Sequence, residues 1–275
     1  MEETLTGRFQ RAFLGPRLLT AVAGIPVVFL ALWGGGPWWI ALTVAIGSLG
    51  RWEFDRMHTL RPPHRAGGLL LSLAALGLTI IVEMPEWGVV VAGWAAVIAA
   101  AAMWYFSPRT AAMSQPVLST VLGAVYLAVP TGSLLRWRLE HAPWSVLAFL
   151  VVVWANDISA YFVGIAAGRH RLAPRISPGK SWEGAVAGVG AGALAGFLTA
   201  AWLGIPPARA AVFGAFVTIA SQLGDLLESA MKRRAGLKDS GALLPGHGGI
   251  LDRFDGILVA SPIAYFLVRL WAAGS

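Results

Sequence analysis

Long apolar runs separated by short polar clusters dominate this chain. About 20 apolar residues are needed for a helix to cross a hydrocarbon core. Windows of that kind fall at nine places: 17–34, 37–54, 67–83, 87–106, 117–135, 144–167, 184–203, 208–230 and 250–272. Between them lie Gly34-Gly35-Gly36-Pro37, Arg61-Pro62-Pro63, Pro85, Pro116, Pro143 and Pro206-Pro207, which read as helix breakers. The second and third segments fit the pattern least well: Arg51, Glu53 and Asp55 crowd one end of the second, and the third is short. The predicted fold is all-α, a polytopic membrane bundle of about nine transmembrane helices. No loop is long enough for a separate soluble domain, so residues 1–275 form one membrane-embedded domain.

Charge then orients the bundle. With the N-terminus cytoplasmic, only Arg136, Arg138, Arg209 and Arg269 of the 21 lysines and arginines fall on the outer side, as the positive-inside rule favours. The loops 168–183 and 231–249 then share the cytoplasmic face. The basic N-terminal stretch leads into the first span, with no clean small-x-small cleavage site after it. A composition of 57% hydrophobic and 13% charged residues suits a multi-pass membrane protein. The net charge of +7 reads as loops facing anionic headgroups rather than nucleic-acid binding. With no cysteine, disulfides, thiolate metal sites and cysteine nucleophiles are excluded.

Gly184, Gly188, Gly192 and Gly196 recur every four residues in the seventh segment and make a smooth ridge for close helix packing. The spacing leaves open whether that ridge packs within the chain or across a homodimer.

Three polar groups, concentrated in residues 150–260, carry the candidate chemistry. Asn156 and Asp157 interrupt the apolar sixth segment, and an acid at that depth requires a cation, either a metal or a Lys or Arg. The second group, Arg175-Ile-Ser-Pro-Gly-Lys-Ser-Trp-Glu-Gly184, contains Ser177, Lys180 and Ser181 just before a helix. A Walker loop would need glycine where Pro174 stands and a strand in front, which the sequence does not suggest. Hydroxyls, backbone amides and one ammonium there still suit a phosphate, and Ser181 also suits a helix cap. In the third group Asp225, Glu228, Ser229 and Lys232 share one helix face at i, i+3, i+4 and i+7. Lys238-Asp239 and Pro245-Gly246-His247-Gly248-Gly249 follow, then Asp252-Arg253-Phe254-Asp255. Asp225, Asp252 and Asp255 form a plausible oxygen-only set for Mg²⁺. Acids for a divalent ion beside Lys, Arg and His for phosphates are the equipment of phosphoryl or nucleotidyl transfer. No G-x-S-x-G element argues for hydrolysis.

The segment from Ser229 to Asp255 also resembles the signature of the phosphatidate cytidylyltransferases (CDP-diacylglycerol synthases). Ser229, Lys232, Arg233, Lys238, Asp239, Pro245, His247, Gly248, Gly249, Asp252, Arg253 and Asp255 supply each fixed element, with no departure. N-D-x-x-A-Y and S-P-x-K-S-x-E-G are similar to that family as well, whereas the first 150 residues add only hydropathy. The resemblance implies the reaction of CTP with phosphatidate to give CDP-diacylglycerol and pyrophosphate, with Mg²⁺. It implies Asp225, Asp252 and Asp255 at the metal, with Asp157 as a further ligand or an acid behind the ligands. Ser177, Lys180, Ser181, Ser229, Lys232, Arg233, Lys238, His247, Gly248 and Gly249 would hold substrate. Arg253 would pair with Asp157 or pyrophosphate. Catalysis is expected to rest on Asp225, Lys232, Lys238, Asp252, Arg253 and Asp255. Phosphatidate would reach the site from the bilayer and CTP from the cytoplasm.

The alternatives are another CTP-dependent membrane-lipid enzyme, a polyprenol kinase or an archaeal-lipid cytidylyltransferase. The D-G-x2-A-R spacing of CDP-alcohol phosphotransferases is absent, since apolar residues follow Asp255-Gly256. A transporter would call for an inverted repeat, and none is visible.

Overall fold

The computed structural model describes residues 16–82, 87–106, 116–243 and 248–272. The basic stretch before residue 16, together with Arg109, Pro245 and His247, lies outside the described residues. Among the described residues there are ten helices: α1 Pro16–Gly34, α2 Gly36–Met57, α3 Pro62–Ile81, α4 Trp87–Phe106, α5 Pro116–Glu140, α6 Pro143–Ala167, α7 Trp182–Leu198, the single turn α8 Ala200–Leu203, α9 Pro207–Arg234 and α10 Leu251–Ala272. The helical bundle is therefore as expected in class. It also carries a small antiparallel hairpin, β1 Arg171–Ala173 with β2 Ser177–Ser181, which the all-α reading missed.

Several boundaries differ from the apolar windows for one reason. Prolines 37, 62, 63, 143 and 207 sit in the first turn of their helices rather than between helices. A first-turn amide has no intrahelical acceptor, so proline loses nothing there and brings a helical φ. The third segment thus gains a turn and becomes a 20-residue helix, Pro62–Ile81, apolar enough to cross a membrane. Helices α5, α6, α9 and α10 also meet that measure, which makes five among the described residues. The charged helix α2 does not. The seventh segment is not continuous either: it breaks at Thr199 (φ −99°, ψ 13°), and the short α8 ends at Gly204 in the left-handed region.

Helix α5 is the central element, with 78% of its apolar window buried against 22% for α3, which leaves α3 on the periphery. It packs against α2, α3 and α10, while α9 lies between α7 and α10, and α6 lies along α7. Trp137, Phe149, Phe213 and Tyr265 fill the core where α5, α6, α9 and α10 meet. At the same end of the bundle, Glu140 binds Arg136 (2.6 Å), Arg269 (2.8 Å) and the Tyr265 hydroxyl (2.5 Å).

The glycine ridge of α7 packs inside the chain. A Cβ at Gly184 would fall on the Ala160 carbonyl, one at Gly188 on Asn156 and Gln222, one at Gly192 on Thr218, and one at Gly196 on the Ala210 carbonyl. The ridge therefore lets α6 and α9 both pack closely against one face of α7, the two meeting at Gly188. That contact is what brings the polar residues of α6 and α9 together.

Candidate active site

The polar residues gather at the opposite end from Glu140, where α6, the β1–β2 hairpin, the end of α9 and the start of α10 converge. They separate into an accessible set and a buried set.

The accessible set begins with Asp157 on α6. Asn156 Nδ2 donates to Asp157 Oδ1 at 2.9 Å, and Gln222 Nε2 on α9 donates to Asn156 Oδ1 at 2.8 Å and to the Ala185 carbonyl at 3.0 Å. This amide relay ties three helices together and orients Asp157. Lys180, on β2, reaches Asp225 Oδ2 at 2.5 Å, and the Asp225 side chain remains 43% exposed. Ser229 Oγ donates to Asp225 Oδ1 at 3.4 Å. Asp255, one turn into α10, lies within electrostatic reach of Asp225, Glu228 and Lys180, as Asp157 does of Asp225 and Lys180. Three carboxylates from three helices thus share one lysine, which leaves an excess of negative charge open to solvent.

In the buried set, Lys232 Nζ binds Asp252 Oδ1 at 2.5 Å and also Glu228, whose side chain is fully buried. The second oxygen of Asp252 accepts from the Ser240 amide (2.8 Å), the Ser240 hydroxyl (2.9 Å) and the Gly249 amide (2.7 Å). Behind them stands a residue that the sequence reading set aside as crowding a span: Glu53 of α2. It is buried, and it accepts from Ser240 Oγ (3.2 Å), the Ile250 amide (2.9 Å) and the Leu251 amide (2.9 Å). The two glycines of the H-G-G turn follow from this crowding. Gly248 has φ 81°, and a Cβ on it would meet Asp252; a Cβ on Gly249 would meet Ser240 and Glu53.

A family profile now adds to this geometry: that of the cytidylyltransferase family matches residues 15–271. The chain belongs to the cytidylyltransferase family. A relative named phosphatidate cytidylyltransferase from Brucella abortus is 33% identical over 261 residues, 94% of each chain. One of the same name from Pseudomonas aeruginosa is 35% identical over 280 residues, 95% of this chain and 98% of that one. Another, from Mycobacterium tuberculosis, is 39% identical over 172 residues, 59% of this chain and 52% of that one. The cytidylyltransferase resemblance carried by Ser229–Asp255 thus extends over nearly the whole chain.

Within this family member, the residues expected at the site have different surroundings. Asp157, Lys180, Asp225 and Asp255 come together. Lys238, Asp239 and Arg253 are exposed, and Ser177 is partly exposed on β2. Arg233 donates to the carbonyls of Ile176 (3.2 Å) and Leu237 (3.0 Å), and so fastens the hairpin to the end of α9. Asp252 has both oxygens engaged in this structure, by Lys232 on one and by Ser240 and Gly249 on the other, so it faces the loop. Among the described residues no three His, Cys, Asp or Glu side chains, Asp157, Asp225 and Asp255 included, are drawn together into a ready-made metal-ligand set. Ser181 is buried, and its hydroxyl accepts from the Gly184 amide at 3.2 Å as the N-cap of α7, the capping role its position suggested. Ser181→Ala is therefore expected to cost about 1 kcal/mol of stability and to leave turnover near wild type. Thermal unfolding and initial rates on one preparation check both.

Glu53, Asn156, Gln222, Glu228 and Ser240 complete the site, although none was expected to bind substrate or metal. Their common signal is a polar side chain inside an apolar helix or beside the signature, which identifies them as important but names no partner.

Proposed function

We propose that the protein is a phosphatidate cytidylyltransferase of a bacterial membrane, which converts CTP and phosphatidate to CDP-diacylglycerol and pyrophosphate. The observation that carries this reading is the similarity to proteins of that name over 94–95% of the chain. The accessible acids and lysine at one end of a multi-pass bundle suit the chemistry. A phosphate oxygen of phosphatidate attacks the α-phosphorus of CTP, and the bond to the β-phosphate oxygen breaks to release pyrophosphate. The nucleophile is already anionic, so no strong base is required. What is required is to bring two polyanions together and to stabilise the charge that builds on the leaving group.

Asp157, Asp225 and Asp255 are the residues we assign to Mg²⁺. Their donors are all oxygen, they come from three helices, and they exceed the one cation beside them. That fits an ion that keeps waters and shares phosphate oxygens rather than a closed protein cage. When bound, Mg²⁺ supplies positive charge against the phosphates. Lys180 then exchanges Asp225 for a substrate phosphate. Lys238 and Arg253 attract the triphosphate at the mouth, and Ser229 orients Asp225. Lys232 and Asp252 hold the loop and the start of α10, which keeps Asp255 on the side of α9. We place this end of the bundle on the cytoplasmic side, where CTP is found and where the basic loops belong.

The test uses the purified protein in detergent with phosphatidate, Mg²⁺ and CTP labelled in the cytidine. Label is expected to enter the lipid phase, and EDTA is expected to abolish the transfer. Transfer of the γ-phosphate of CTP to a polyprenol, with no cytidine in the lipid phase, would instead make the protein a lipid kinase.

A further inference from the structure

The geometry points to Glu53, in the amino-terminal half of the chain, as a positioning residue for the reaction, holding the signature loop and the start of α10 in their working place. The inference rests on the cytidylyltransferase reading of the site.

Glu53 is completely buried in α2, yet its partners are all 187 to 198 residues further along the chain. Its Oε1 accepts from the Ile250 amide, and its Oε2 accepts from the Leu251 amide and the Ser240 hydroxyl. The Ile250 and Leu251 amides open α10 and have no acceptor within that helix, so a carboxylate there caps the helix from a distant element and suits its dipole. Ser240 and Ile250 bracket the stretch 241–249, so one carboxylate secures both ends of it.

The backbone approach is close. A Cβ added at Gly241 would lie 2.6 Å from Glu53 Oε1, and one at Gly249 would also run into the carboxylate. The same hydroxyl of Ser240 that donates to Glu53 lies 2.9 Å from Asp252 Oδ2, and Asp252 in turn binds Lys232. A continuous polar chain therefore runs from Glu228 through Lys232, Asp252 and Ser240 to Glu53. Only its far end leaves the catalytic half. Asp255 follows one turn after Leu251, so a shift at the cap is a shift of Asp255 against Asp225.

Glu53 touches neither the accessible acids nor the mouth of the site, so its effect on turnover must pass through the loop. In Glu53→Gln one oxygen is replaced by an NH₂, which faces either the Ile250 amide or the Leu251 amide and the Ser240 hydroxyl. Purified Glu53→Gln is expected to show amide hydrogen exchange at Ser240, Ile250 and Leu251 about tenfold faster or more. Exchange in α5 and α6 should not change. Its kcat is expected to fall about 100-fold while KM for CTP and for phosphatidate stays within about threefold. Asp55→Asn is the control, since Asp55 is buried two residues further along α2 and pairs with Arg51 at 2.7 Å without touching the loop; exchange at residues 240, 250 and 251 should match wild type.

A wild-type kcat in Glu53→Gln, or exchange that rises equally across α5 and α6, would overturn the inference. If Glu53→Gln does not fold, Ser240→Ala removes the middle of the clamp. It is then expected to lower kcat about tenfold with the same local exchange pattern, and an unchanged kcat would overturn the inference. If the wild-type protein transfers no cytidylyl group, the functional reading fails, and the exchange pattern alone still decides whether Glu53 holds the loop.

Discussion

Asp255→Asn is expected to abolish nearly all turnover, by about 10³-fold in kcat, while the protein remains folded and melts at the wild-type temperature or above it. The two effects have one cause. Asp255 sits within reach of two other carboxylates, Asp225 and Glu228, with Lys180 the cation beside them. In the resting protein that concentration of negative charge is unfavourable, and removing one charge relieves it. In the proposed reaction the same charge would gather the cation that holds two anionic substrates against each other. A site that costs stability and supplies function follows the usual trade-off. Turnover and thermal unfolding, measured on the same detergent preparation, test both halves. Normal turnover would remove Asp255 from the chemistry. Lost turnover with a clear fall in melting temperature would make it a structural residue instead.

Lys232→Met is expected to fail in the opposite way, through loss of the fold around the loop. Lys232 Nζ is the cation between Glu228, fully buried, and Asp252, which is nearly so. Removing one partner of a buried ionic group leaves the others without compensation and costs about 3–5 kcal/mol. Replacing Glu228 as well, in Lys232→Met/Glu228→Met, removes one of those stranded charges. The double variant is therefore expected to melt above the single one, a coupling that independent sites would not show. The check is the melting temperature of both variants beside wild type. If Lys232→Met melts like wild type and is merely inactive, Lys232 works on substrate and the buried triad is not its main task.

These opposite expectations mark how far the sequence could be read. Asp225, Glu228, Ser229 and Lys232 do lie on one face of α9, as their spacing requires, but spacing does not specify what that face meets along its length. The hairpin lysine meets it at Asp225, and the start of α10 closes over it at Glu228 and Lys232. One stripe therefore contributes to both the open set and the buried set. Asp252 and Asp255 were legible as a pair for the same reason, and they separate because only Asp252 turns back to the Gly249 and Ser240 amides. Glu53 was visible as one of the charged residues crowding the end of the second apolar window, but partners nearly 200 residues away leave no local pattern. The glycine ridge was legible as a packing surface, and its partners were not, because small residues fit any close neighbour. The prolines were misplaced by a turn, since a proline that ends one helix and a proline that begins the next look alike in sequence. By contrast, the helical bundle and the signature segment could be read directly. Apolar length and a dense set of polar anchors are properties of single stretches of chain.

In the proposed mechanism the open acids bind metal and substrate, and the buried ones hold the loop. Electron paramagnetic resonance with Mn²⁺ in place of Mg²⁺, in the presence of CTP, tests it most directly. Wild type, Asp255→Asn and Glu228→Gln would be titrated side by side. The expected result is a loss of Mn²⁺ affinity of about tenfold or more in Asp255→Asn and affinity close to wild type in Glu228→Gln. Unchanged affinity in Asp255→Asn, with the loss in Glu228→Gln instead, would contradict the account and move the metal to the buried triad.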